Sequence, residues 1–143
     1  FNNQIHYKKA LQQVIKRQLT VFFENLTTQP DIAIILPLHQ GRFLTRGFNQ
    51  VSQVWQPCLA KHICISNALI RNKATQAQSQ LSRSKRIKNV KNAFVCTQDM
   101  SGKTVVIVDD VMTTGATFNA ATRVLKQAGA KQVWAFATCL TPL

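Results

Sequence analysis

The stretch from residue 103 to residue 139 constrains this 143-residue chain more than any other. It opens with an apolar run, KTVVIV at 103–108, set off by the turn Ser101-Gly102. Two adjacent acids, Asp109 and Asp110, come next, and then a turn of hydroxyl-bearing and small residues at 113–117, TTGAT. Residues 118–128 carry the pattern of a helix, which Gly129 is suited to end in the left-handed conformation. A last apolar run, QVWAFATC, occupies 132–139. Strand, helix and strand in succession predict parallel strands joined by a crossover helix.

The rest of the chain extends the same pattern. Tyr7, Leu11, Val14, Ile15, Leu19, Phe22, Phe23 and Leu26 recur with the 3.6-residue period of an amphipathic helix. Residues 31–36 (DIAIIL) read as a short strand buried on both faces and stopped by Pro37. A polar loop, PLHQGRFLTRGFNQ, leads to a second helix over 51–62, interrupted by Pro57. A brief strand is predicted at 67–71. The polar, basic segment 75–92 after it has only Ile87, Val90 and Phe94 as an apolar stripe. The fold class is therefore α/β, a mostly parallel sheet flanked by helices, in a single domain over 1–143. A chain of this length buries ~68–70% of the surface its unfolded form exposes, enough for a packed core. No apolar stretch approaches the ~18 residues of a transmembrane segment, and no secretory signal opens the chain. Cys58, Cys64, Cys96 and Cys139 form no C-x-x-C pair, which argues against a zinc knuckle here and for reduced thiols in a cytoplasmic setting. Trp55 and Trp134 fit core positions, and His6 and His62 fit helix faces.

Charge narrows the partners. Eighteen basic residues against five acids give a net charge of +13, which favours phosphate ligands, nucleic acid or an anionic membrane surface. No acid occurs from Ile32 to Gln98. The stretch from Arg71 to Lys91 within that interval, with Arg83, Lys85, Arg86 and Lys88, is a candidate track for a nucleic-acid backbone. It contains no aromatic residue, so a sequence-independent electrostatic contact is the most it supports.

The chemistry lies at 105–117, VVIVDDVMTTGAT. The strand delivers two carboxylates to the carboxyl end of the sheet, where ligands of open α/β folds bind. The turn Thr113, Thr114, Gly115, Ala116 and Thr117 runs into a helix, offering backbone N–H groups and hydroxyls that suit a phosphate. Two adjacent carboxylates accept hydrogen bonds from a vicinal diol. Carboxylates for a ribose and a nest for its phosphate together describe a ribose 5-phosphate site. Aspartates at a strand end also serve as helix caps, and that plainer role stands beside the functional one. Neither a P-loop nor a dinucleotide fingerprint is present.

The thirteen-residue string resembles, at every position, the phosphoribosyl pyrophosphate (PRPP) motif of type I phosphoribosyltransferases. Pro37-Leu38-His39 with Arg46-Gly47-Phe48-Asn49-Gln50 is similar to a signature of the ComF/GntX family. Thr75, Gln78, Leu81, Arg86, Asn89 and Ala93-Phe94 fit another pattern of that family. The resemblance implies that Asp109 and Asp110 hold the ribose hydroxyls and that Thr113 to Thr117 hold the 5-phosphate. It implies a pyrophosphate loop at Leu38, His39 and Gln40, faced by Arg42 and Arg46, with the segment around Arg83, Lys85 and Arg86 folding over it. Mg2+ would travel with PRPP, carried mainly by the ligand's own oxygens and waters. ComF proteins assist uptake of single-stranded DNA into the cytoplasm in natural competence, and usually carry an N-terminal four-cysteine zinc element. With Phe1 at the start, that element is expected upstream. Three readings follow: a PRPP-binding protein acting in DNA uptake, an active phosphoribosyltransferase of unknown acceptor, and a basic nucleic-acid-binding module with a vestigial phosphate site. The first is favoured, because Asp109, Asp110 and Gly115 are intact and no hood for an acceptor follows the last strand.

Overall fold

The computed structural model describes residues 2–37, 49–72 and 92–141. Helix α1 (Asn2–Glu24) leads into strand β1 (Ile32–Ile35), helix α2 (Gln50–Leu59) and the short strands β2 (Cys64–Ile65) and β3 (Leu69–Arg71). Strands β4 (Phe94–Cys96) and β5 (Thr104–Met112), helix α3 (Ala116–Gln127) and strand β6 (Gln132–Leu140) complete the chain. Four strands form a parallel sheet in the order β2-β1-β5-β6, while β3 and β4 pair antiparallel as a separate ribbon. The predicted α/β architecture is thus present, with two elements unforeseen. Strand β2 lay unmarked in the sequence, and Phe94 belongs to a strand rather than to the stripe of a basic segment.

Strand β5 is central because its apolar residues alternate between two cores. Val105 and Ile107 pack with Phe118, Ala121 and Leu125 of α3 and with Leu69 and Phe94 of the ribbon. Val106 and Val108 face the other way, onto Ile15, Leu19 and Phe23 of α1 and Val51, Trp55 and Leu59 of α2. All four are fully buried, as a strand covered on both faces requires.

Two local devices aim the sheet's neighbours. Asn49 caps α2, its Oδ1 accepting from Val51 N at 3.0 Å and Ser52 N at 3.4 Å, while its Nδ2 donates to Leu36 O at 3.3 Å. One side chain therefore starts the helix and ties it to the end of β1. Pro57 sits inside α2, where it lacks the N–H that would bond to Gln53 O. Gln12 of α1 supplies the missing donor, its Nε2 lying 2.9 Å from that carbonyl. The proline that blurs the helix in the sequence thus becomes a docking point for α1.

Gly129 ends α3 with φ 96°, as expected. All four cysteines are free thiols. No helix among the described residues is long and apolar enough to cross a membrane.

Candidate functional site

Strand β1 stops at Ile35, opposite Val108, and Leu36 N makes the last bond to β5, 2.9 Å from Val108 O. Strand β5 does not stop there. It continues through Asp109 and Asp110 to Met112, with β6 its strand partner among the described residues, pairing Asp109 with Ala137 and Met112 with Leu140. The acid pair therefore lies within the strand and beyond the edge of β1, not after the strand's end.

Alternate residues of a strand aim their backbone groups at the same neighbour, so the N–H of Asp110, like the carbonyl of Val108, faces the side that β1 has vacated. It donates instead to Asp109 Oδ1 at 2.9 Å, and Val111 N donates to Asp110 Oδ1 at 2.8 Å. Burial pushes the Asp109 carboxyl up to about 7, and the adjacent Asp110 charge adds to that rise. The bond from Asp110 N and the charge of Arg71 pull the other way. Asp110 is exposed. The two carboxylates thus differ: one is held back in a poorly solvating niche, the other faces solvent.

The turn that follows is shaped for an anion. Gly115 has φ 71° and ψ 3°, the left-handed conformation in which a glycine is at ease. It is the N-cap residue of α3 and offers no side-chain cap, and the first turn of the helix holds no acid. A space of 3.9 Å separates an ideal Cβ at this position from Asn119 Nδ2, so backbone conformation rather than crowding favours glycine. Beside it, Thr114 Oγ1 is buried without a hydrogen-bond partner. A buried hydroxyl left unmet is costly, and in a turn at a helix N-terminus an oxyanion is a fitting partner for it.

The structure brings Asp109, Asp110, Thr113, Thr114, Gly115, Ala116 and Thr117 to one strand-to-helix junction. Leu38, His39, Gln40, Arg42 and Arg46 lie outside the described residues, as do Arg83, Lys85, Arg86 and Lys88. His62 is no ligand candidate: its ring stacks on Phe23 with centroids 5.0 Å apart. Trp55 is buried and donates through Nε1 to Thr138 Oγ1 at 3.1 Å, while half-buried Trp134 packs edge-on against Phe22. Arg71, the first residue of the stretch read as a candidate nucleic-acid track, ends β3. Its guanidinium lies 5.3 Å from the centre of the Phe94 ring. No periodicity signals this, because the pairing that makes it joins residues far apart in the chain.

Comparison with known proteins agrees with this geometry. The profile of the phosphoribosyl transferase domain family matches residues 51–142. The chain belongs to that family. Curated relatives of this phosphoribosyl transferase domain include the DNA utilization protein YhgH of Escherichia coli (strain K12), 40% identical over 114 residues, covering 78% of this chain and 50% of the relative. Competence protein F of Haemophilus influenzae is 34% identical, over 96% of this chain and 63% of its own length. Such relatives bear out the resemblance to the ComF family. The domain spans about half the length of the first curated relatives it matches. Among solved structures, a hypoxanthine-guanine phosphoribosyltransferase from Bacillus anthracis superposes with a TM-score of 0.60 at 15% identity, covering 94% of this chain and 71% of that one. That likeness is one of fold.

Proposed function

We propose that this phosphoribosyl transferase domain binds PRPP, with Mg2+ carried mainly by the ligand's own oxygens, and serves a ComF-type role in the uptake of single-stranded DNA in the cytoplasm. The observation that carries the reading is the meeting of the acid pair with the turn at 113–117 at one end of β5. The carboxylates of Asp109 and Asp110 suit the ribose diol. The left-handed Gly115 and the unmet Thr114 hydroxyl suit the 5-phosphate. Arg42 and Arg46, with the loop Leu38, His39 and Gln40, would meet the pyrophosphate. The names of the relatives, a competence protein and a DNA utilization protein, support the cellular role. The zinc element expected upstream belongs to the same proposal.

Calorimetric titration with PRPP and magnesium tests the ligand. A pyrophosphate-release assay with candidate acceptors then asks whether the site turns it over. In that case the chemistry is displacement at the anomeric carbon, where stabilising the leaving pyrophosphate matters more than a strong base. Family membership keeps this second reading in play.

Gly115→Val should weaken PRPP binding by about tenfold or more, because a β-branched residue at positive φ is strained by ~1–2 kcal/mol and must reshape the turn. Equal affinity in the variant would place the phosphate elsewhere.

Single-stranded DNA is expected to bind weakly and through its backbone. With about five basic side chains engaged, log affinity should fall with log salt at a slope of roughly −3.5, from ~0.7 per contact. Reversing Arg83, Lys85 and Lys88 to Glu should weaken binding to every homopolymer alike. A salt-independent affinity, or one unchanged by the triple reversal, would show that this stretch is only a solvated face.

A further inference from the structure

Between the ribbon and α3 lies a cleft of about 540 Å³ that shares no lining residue with the ribose-phosphate site. Phe94 of β4 and Val124 of α3 form its floor, and both pack into the core beneath, so the cleft rests on fixed packing. Asn72, Asn92, Arg123 and Gln127 form its polar rim, and all four are exposed. Asn92 stands at φ 57°, a left-handed conformation that asparagine adopts more readily than most residues. Its Oδ1 accepts from Arg123 Nη2 at 2.9 Å, which fixes that guanidinium over the cleft. Among the described residues, the Asn92 Nδ2 and the side-chain amides of Asn72 and Gln127 make no hydrogen bond. None of the lining residues is an acid. Asn72 N donates to Ala93 O at 3.0 Å, so the ribbon sets Asn72 and Asn92 side by side. In the sequence these two residues bracket 73–91, where six lysines and arginines stand without an acid.

We propose that this cleft seats one base of a single-stranded nucleic acid. The proposal rests on the nucleic-acid part of the reading above and adds a contact to a base, where that reading has the backbone alone. The chemistry of the rim selects the occupant. A phosphate or carboxylate finds one guanidinium here, already bonded to an amide, and three neutral amides. A cation finds no acid. An apolar side chain would strip water from the amides and return no hydrogen bond. A nucleobase meets all of these groups, because its edge carries donors and acceptors together, as a side-chain amide does. Asn, Gln and Arg are the side chains that pair with base edges through two bonds at once. The volume falls within the ~300–1,000 Å³ of small-ligand sites and has room for one base with its sugar. Phe94 is only 3% exposed, so the hold comes from the amides over an apolar floor rather than from stacking on a bare ring. The cations between Asn72 and Asn92 in the sequence join the chain at this rim, which draws a polyanion's backbone to the place where its base can turn inward.

The test compares a single-stranded oligodeoxyribonucleotide with an abasic strand of the same length, each titrated into the full chain at several salt concentrations. The parent should bind the base-bearing strand about tenfold more tightly than the abasic one. Asn72→Ala with Gln127→Ala changes two exposed, neutral residues. The pair should lose most of that advantage and keep the parent's salt slope, because the slope counts phosphate contacts. Equal affinity of the parent for the two strands, or an undiminished advantage in the double variant, overturns the proposal. Cys96 lines the cleft and supplies a second readout. Replacing the exposed Cys64 and Cys139 with serine leaves Cys96 and the buried Cys58 as the only thiols. Alkylation of Cys96 should slow more under a saturating base-bearing strand than under a saturating abasic one, and equal rates overturn the proposal. A free nucleoside that protects Cys96 at the strand's own concentration would make the cleft a small-ligand site and overturn its assignment to a strand. A parent that binds neither strand, even at low salt, sinks the nucleic-acid reading itself, whereas equal binding to both sinks the base contact alone.

Discussion

Replacing Asp109 and Asp110 together with asparagine is expected to abolish the stabilisation that PRPP and magnesium confer on the parent chain. A ligand that binds only the folded state, present at ~100 times its dissociation constant, adds about 2.7 kcal/mol. For a chain of this size that is a rise of roughly 8 °C in the unfolding midpoint. Asparagine keeps an oxygen at each position, so the bonds from Asp110 N and Val111 N to the two side chains can persist. What vanishes is the paired charge that accepts from two vicinal hydroxyls. Thermal unfolding with and without ligand decides the matter. A parent with no shift, or a double variant that keeps the parent's shift, would remove the acids from the ribose site.

Asp109→Asn alone should make the unliganded fold more stable at pH 8 and leave it unchanged at pH 4. In the unfolded chain an aspartate loses its proton near pH 4. In the fold, burial first and the Asp110 charge next hold the Asp109 proton to about pH 7. Between those values the folded state binds more protons than the unfolded one, so stability falls as pH rises from about 4 to about 7 and is level above. That interval sets an upper bound of ~4 kcal/mol, and the side chain's partial exposure brings the expected gain to on the order of 2 kcal/mol. Urea unfolding of both proteins at pH 4, 6 and 8 measures it. A gain of equal size at all three values would mean that asparagine acts through packing. The site is thus held at a cost to the fold, as ligand sites commonly are.

The elements that place the acid pair were readable from local pattern. Val105 to Val108 read as the clearest strand, and Gly129 marked the end of α3. The overrun of β5 through the acids was not readable, because aspartate disfavours strands. Strand β6, nine residues long, supplies the partner that overrides that preference. Strand β3 falls within the brief strand expected at 67–71, whereas the three-residue β4 carries no period to detect. Their register couples Arg71 to Phe94 across more than twenty residues, so a basic side chain stacked on the core looked like its neighbours in sequence. Thr114 was legible as part of a phosphate-binding turn, whereas its unmet hydroxyl is a property of packing alone.

The overrun of β5 past β1 has a bearing on self-association. Among the described residues, a strand whose neighbours end at different heights keeps one margin without a strand partner, and this one joins VVIV to VM, a sequence with the traits of an aggregation template. Two carboxyl groups stand on that margin, and Asp109 occupies with its own oxygen the N–H that a foreign strand would seek. The acids act in this respect as gatekeepers, of the kind that flank unavoidable apolar strands. Their exchange for asparagine would disarm the guard, so the double variant should be the firmer monomer and the poorer citizen in a concentrated solution. The carboxyl groups proposed for a sugar would also keep copies of the chain apart.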